Sequence, residues 1–169
     1  FDILISTLAI TILIAPAFFV AIMISLTSKG PILYWSNRIG KDNVPFEMPK
    51  FRTMKVDTPA VASHLLENSA STLTPIGSFL RKSSLDEIPQ LWSIMFGEMS
   101  FVGPRPALFN QEDLISLRAE KGVCGLIPGL TGWAQVNGRD QLTIIEKVDL
   151  DAEYLAKKSL LFDMYVIWL

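Results

Sequence analysis

Residues 3–26 read ILISTLAITILIAPAFFVAIMISL, and no charge occurs between Ile3 and Ser28. A straight helix of this length runs roughly 36 Å, and a bilayer's hydrocarbon core is about 30 Å thick. The stretch lacks a basic start and is too long for the apolar core of a signal peptide. It is predicted to be a retained membrane segment. Pro16 interrupts it and frees the carbonyl of Ile12 from its helical bond. In lipid something must satisfy that carbonyl. The halves Ile3–Ala15 and Pro16–Leu26 are each too short to span alone. A kinked spanning helix and a re-entrant helical hairpin both fit this pattern.

The 169 residues suggest one domain beyond the leader, so the division is 1–28 for the membrane helix and 29–169 for the rest. A formal net charge of −2 gives no footing for a nucleic-acid partner. Lone Cys124 and lone His64 exclude a disulfide framework, and they argue against a zinc site and a Cys–His nucleophile pair. The predicted fold class is α+β, mainly helical. Ile32–Trp35 and Pro45–Met54 read as strands around a turn at Gly40–Asn43. Short helices are predicted at 61–68 and 77–81. A helix is predicted over Leu85–Phe96, with Ser84 as N-cap, Glu87 closing a capping box and Gly97 as the stop. Ala107–Lys121 and Thr143–Lys158 read as further amphipathic helices, with loop and short strand over Leu126–Arg139 between them. The apolar end, 160–169, carries Phe162, Tyr165 and Trp168, rings that favour a membrane surface.

With one histidine and one cysteine, acid chemistry must rest on carboxylates, and Asp86-Glu87 is the best-placed pair. Acids in a first helical turn suit the helix dipole, which is the plain reading. The functional reading is a nucleophile or metal pair. An aspartate can attack phosphorus to form an acyl phosphate, and magnesium can bridge carboxylate and phosphate oxygens. Such chemistry needs fixed cations. Arg105 is bracketed by Pro104 and Pro106, and its fork matches a phosphate. Lys50 and Arg52 alternate with Phe51, so they project from one strand face. Arg139 follows the turn Asn137-Gly138. Taken singly, each of these cations also reads as a solvated surface charge. Trp133 reads equally as a base-stacking ring or a core residue. His64 reads as a surface or capping residue and Cys124 as a small buried one.

Four motifs occur in order: Lys50-Phe51-Arg52-Thr53-Met54, Ser84-Leu85-Asp86-Glu87-Ile88-Pro89-Gln90-Leu91, Met99–Pro106 and Pro128–Arg139. Together they resemble the bacterial sugar transferases of the monotopic phosphoglycosyl transferase type, over nearly the whole chain. The resemblance implies transfer of a sugar phosphate from a UDP-sugar to a polyprenol phosphate, with undecaprenyl phosphate the expected acceptor. UMP is released, and the reaction is the first membrane step of glycan assembly, as for lipopolysaccharide or capsule. It implies Mg2+ as cofactor, Asp86 as nucleophile and Glu87 as metal ligand or acid–base partner. Arg105 matches the phosphate-binding arginine, and Lys50, Arg52 and Arg139 match basic positions near substrate. A homo-oligomer is compatible with it.

The resemblance also implies a bacterial inner-membrane protein. Its re-entrant helix would break at Ala15-Pro16, and its catalytic domain and interfacial helices would lie on the cytoplasmic face. Relatives often have serine where Ala15 stands, which leaves Thr11 as the hydroxyl to serve a freed carbonyl. The chain is expected to be a minimal form or a piece of a larger one. A membrane scaffold without activity and a magnesium-dependent lipid phosphatase are the competing readings.

Overall fold

The apolar leader forms a single α-helix, α1 (Asp2–Thr27), with Pro16 inside it. The structure is a computed structural model that describes residues 1–58, 71–138 and 141–169. The helix expected at 61–68, His64 and Arg139 lie outside the described residues. Hydroxyls along α1 bond back to the preceding turn: Thr7 to the Ile3 carbonyl at 2.7 Å, Thr11 to Thr7 at 2.8 Å and Thr27 to Met23 at 2.6 Å. This spends polar groups inside an apolar helix. Thr11 is therefore committed to Thr7 rather than to the carbonyl freed by Pro16.

The described residues are α+β and mainly helical, with seven α-helices and five strands. Their contacts divide into two units, one essentially Ile3–Ser36 with Glu47–Ser93, the other essentially Asn37–Phe46 with Ile94–Leu169. Strands β1 (Leu33–Ile39) and β2 (Pro45–Phe51) form the expected hairpin. Its turn puts Asp42 and Asn43 at φ +55° and +60°, a region that Asp and Asn tolerate better than most residues. The short strand β4 (Ala107–Leu108) pairs antiparallel with β1, Arg38 opposite Leu108 and Ile39 opposite Ala107.

In the first unit one face of α1 is buried. Val20 and Ile24 pack with Phe51 and Leu80, joined by Ala17, Ala21, Leu33, Ile76, Leu85 and Ile88. Positions 17, 20, 21 and 24 share one helical face. Leu80 lies on α2 (Gly77–Lys82), the short helix predicted at 77–81.

Two predicted helices are corrected by backbone chemistry. The segment Leu85–Phe96 is a 3-10 turn, Leu85–Glu87, followed by α3 (Gln90–Met95). Pro89 has no N–H to give the Leu85 carbonyl. The chain closes shorter rings instead, Ile88 N to Leu85 O at 3.4 Å and Trp92 N to Pro89 O at 3.1 Å. Ser84 is not a side-chain cap; it sits at φ +56° and makes no cap bond. The capping box falls elsewhere, between Thr143 and Glu146 at the head of α6 (Ile144–Lys157). The helix expected over Ala107–Lys121 shortens to α4 (Glu112–Glu120), because Ala107 and Leu108 are taken by the sheet. Gly97, at φ +80°, ends α3 as predicted.

The second unit is built around β3 (Ser100–Val102) and β5 (Gly129–Thr131), a parallel pair with Ser100 opposite Gly129 and Val102 opposite Thr131. Its core joins Val102, Val123, Leu126, Tyr154 and Val166. Val166 lies on α7 (Leu160–Trp168). The buried Tyr154 hydroxyl donates to Asp163 at 2.7 Å, with the Val102 carbonyl 3.2 Å away, tying α6 to α7 and β3. Burial, then the bond to Asp163, pushes the Tyr154 hydroxyl pKa up.

Glycines let the chain close tightly after β3. A Cβ on Gly129 would lie 2.1 Å from the Gly103 nitrogen, and one on Gly132 would lie 2.1 Å from the Gly103 carbonyl oxygen. Backbone atoms cannot yield as a flexible side chain does. Gly129→Ala is expected to cost about 1–3 kcal/mol or more by overpacking. A lowered thermal midpoint of the purified protein checks this.

Helices α4 and α6 are joined by a buried ion pair. Arg118 Nε and Nη2 donate to Asp151 Oδ2 at 2.9 and 2.7 Å. Burial raises the Asp151 pKa, and Arg118 offsets this only in part. A carboxyl raised in the folded state stabilises most when protonated, at low pH, and loses that contribution as pH rises through its folded pKa. Arg118→Met removes the cation, so the cost at neutral pH is about 3–5 kcal/mol. Thermal midpoints measured between pH 8 and pH 5 should show this deficit shrinking as pH falls and Asp151 takes up a proton.

Candidate active site

The acid turn borders the apolar cluster of the first unit, to which α1 contributes Val20 and Ile24. Leu85 and Ile88, which flank the two acids, pack against the cluster of Val20, Ile24, Phe51 and Leu80. The apolar neighbours thus fix the turn, and the carboxylates between them are held by a short helix rather than by a loose loop. Asp86 is 8% exposed. Burial raises its pKa, with Glu87 adding to the rise, while Lys50 and Arg81 pull it back. Glu87 Oε1 accepts from Lys50 Nζ at 2.8 Å, a partly buried pair. The expected capping role for Glu87 is replaced by this bond. Arg81 is held beside the turn by its own bond, Nε to Thr53 Oγ1 at 3.0 Å. The sequence did not single out Arg81, because an arginine at the end of a short helix reads as a solvated charge.

The two strand cations part company. Lys50 meets the acids. Arg52, 5% exposed, turns to the end of α1. Its Nε donates to the Pro31 carbonyl at 2.6 Å, and its Nη2 to the Ser28 carbonyl and hydroxyl at 3.2 and 2.9 Å. Strand β2 ends at Phe51, so the strict alternation that would point both cations one way stops before Arg52. A cation there also suits the negative end of the α1 dipole, which has no basic residue in its last turn.

In the second unit Arg105 is half-buried, and its carbonyl accepts from Arg118 Nη1 at 2.9 Å. Trp133 proves to be a core-side ring. Its ring, on α5 (Trp133–Val136), lies 5.1 Å from that of Phe162 at a tilt of 58°, and its Nε1 donates to Glu153 at 3.0 Å. Cys124 is only partly buried. Sequence reasoning also missed Gln90 and Ser93 on α3. Both are buried, and Gln90 Nε2 and Ser93 Oγ have no protein partner among the described residues. A buried amide of this kind gives no signal in composition or spacing.

The acids offer hard oxygen donors to a metal ion. Among the described residues no group of three His, Cys, Asp or Glu side chains gathers as a cage. Magnesium does not need one, since it takes one or two carboxylates and completes its shell with waters and substrate phosphate. The Asp86-Glu87 pair fits that requirement.

Residues 1–169 match the bacterial sugar transferase family, and the chain belongs to that family. It is 38% identical over 177 residues to the UDP-glucose:undecaprenyl-phosphate glucose-1-phosphate transferase of Escherichia coli (strain K12), covering 99% of this chain and 38% of that protein. It is 34% identical over 184 residues to the exopolysaccharide production protein ExoY of Sinorhizobium fredii, covering 99% of this chain and 80% of that protein. Identity to the UDP-galactose-lipid carrier transferase of Erwinia amylovora is 32% over 180 residues, covering 98% of this chain and 38% of that protein. The chain thus spans about two-fifths of the first and third relatives.

The geometry separates Arg52 from Lys50 by experiment. Arg52→Met would remove the part-buried bonds to Ser28 and Pro31 at the end of α1, a loss of about 1–3 kcal/mol. The thermal midpoint in detergent should drop accordingly, and an unaltered midpoint would overturn the structural role of Arg52.

Proposed function

We propose that this chain transfers a sugar phosphate from a UDP-sugar to a polyprenol phosphate, undecaprenyl phosphate by the names of its relatives, through a covalent phosphosugar on Asp86. The observation that carries this reading is the buried Asp86, beside the Lys50–Glu87 pair, on a turn whose flanking Leu85 and Ile88 pack into an apolar cluster shared with the leader helix. A buried carboxylate sheds its water and attacks more readily, while Lys50 and Arg81 favour its ionised form.

In the first step an Asp86 oxygen attacks the sugar-proximal phosphorus. The new bond is phosphorus to Asp86 oxygen, the broken bond is phosphorus to the oxygen of UMP, and UMP leaves with the bonding electrons. In the second step a phosphate oxygen of the polyprenol phosphate attacks the same phosphorus and returns the Asp86 carboxylate. Lys50 and Arg81 offset the gathering negative charge, and Arg105 grips a phosphate. Glu87 orients Lys50. Magnesium, held by Asp86 and Glu87, would supply charge neutralisation between carboxylate and phosphate oxygens.

Membrane insertion follows from α1. Burial recurs along its whole length, at Ser6, Val20 and Ile24, while the large apolar side chains on its other faces are exposed. α1 runs through Pro16 as one helix, so the re-entrant reading rests on the family resemblance, with the catalytic residues at the cytoplasmic face of the inner membrane. Cysteines placed at Asp2 and Lys29 should then label from the same side of sealed vesicles, and labels from opposite sides would refute the hairpin.

Asp86→Asn should abolish UMP release from UDP-glucose or UDP-galactose. Because burial raises the Asp86 pKa, its ionised form costs stability at neutral pH, so the Asn variant should keep or raise the thermal midpoint. Without lipid acceptor the wild type should release about one UMP per enzyme, the signature of a covalent intermediate. Chelation with EDTA should remove that burst and added Mg2+ restore it. Normal turnover by Asp86→Asn would sink the assignment, and free inorganic phosphate as product would favour a phosphatase.

A further inference from the structure

Pro104-Arg105-Pro106 is a segment with few ways to hold itself, since neither proline has an N–H to donate. Yet each of its three carbonyls is bonded from a different element. The Pro104 carbonyl accepts from Gly129 N at 2.9 Å, beside the glycine contact of β5. The Arg105 carbonyl accepts from Arg118 Nη1 at 2.9 Å, on α4. The Pro106 carbonyl accepts from Arg38 Nη1 at 3.1 Å, on β1.

Two of the three donors are guanidinium groups, and Arg118 is itself locked. Its other two donating nitrogens both meet Asp151 Oδ2, and the side chains are only 12% and 2% exposed. One planar fork therefore fixes a carboxylate on α6 and the main chain of Arg105 together. Joining α4 to α6 needs only the Asp151 bonds. The third bond, aimed at the carbonyl of Arg105, adds nothing to that joint. It holds the residue whose side chain lies between two rigid prolines.

We infer that Arg118, oriented by Asp151, and Arg38 are positioning residues that present the Arg105 guanidinium in one direction to a phosphate of the sugar-nucleotide donor. The inference rests on the reading of Arg105 as phosphate-binding. Neither Arg118 nor Arg38 needs to touch substrate. A lysine at 118 keeps the charge but not the fork, so Arg118→Lys should loosen Arg105 while largely sparing electrostatics.

The test is a double-mutant cycle of Arg118→Lys with Arg105→Ala. Donor KM and kcat are measured with UDP-glucose and with UDP-galactose, undecaprenyl phosphate as acceptor, and thermal midpoints are taken alongside. Arg38→Met carries the same cycle if Arg118→Lys fails to fold. Each single variant should raise donor KM by about tenfold, equivalent to one lost charge-assisted bond. The double variant should be no worse than Arg105→Ala, since a misplaced arginine and an absent one lose the same contact.

A merely structural pair would lower kcat with the folded fraction, leave KM alone and multiply with Arg105→Ala. That outcome overturns the positioning role while leaving Arg105 as a binding residue. Normal kinetics for Arg105→Ala would instead remove Arg105 from the site, and the inference with it. A wild type that turns over neither donor refutes the functional reading itself.

Discussion

A helix that ends inside a protein leaves carbonyls that need donors, and the way α1 ends governs the candidate site. Arg52, nearly fully buried, bonds the Ser28 carbonyl and hydroxyl and the Pro31 carbonyl. The bond fixes where the leader stops and where β1 begins. Val20 and Ile24 of α1 share an apolar cluster with Phe51 and Leu80, and Leu85 and Ile88 pack against that cluster. Leu85 and Ile88 bracket Asp86 and Glu87, so apolar burial in this cluster is what places the acids. A polar clamp and an apolar face act in series, and loosening either frees the acid turn.

Prolines shape both motifs by removing donors. Pro89 breaks what would have been one helix and leaves the acids in a tight 3-10 turn. Glu87 is thereby released from a capping role and bonds Lys50. Pro104 and Pro106 leave their segment with carbonyls to satisfy, and Gly129, Arg118 and Arg38 satisfy them. In each case the missing N–H turns a local weakness into a requirement that distant residues meet. Asp151 shows what this costs: burial raises its pKa even with Arg118 bonded to it.

Much of this was legible beforehand because the signals are local. The apolar leader, the β1–β2 hairpin, the Gly97 stop and the helix after Thr143 follow from hydropathy, turn residues and period. The failures came where neighbours compete. Ser84 and Glu87 have capping-box spacing, as do Thr143 and Glu146, but only the second pair forms the box. The difference is Lys50, thirty-seven positions before Glu87, which no local window contains. Ala107 and Leu108 fit a helical period, yet β1 offers them strand partners.

The sequence by itself determined the family, which the ordered motifs around Asp86-Glu87 and Arg105 name. It also determined that the first helix is long and apolar enough to enter a membrane. Only the tertiary structure decided which cation serves which partner. Lys50 and Arg52 look alike at two-residue spacing, but strand pairing ends between them, so one reaches the acids and the other the end of α1. Arg118 and Arg38 carried no signal at all, because a guanidinium's role is set by the carbonyl that lies within 3 Å or so of it.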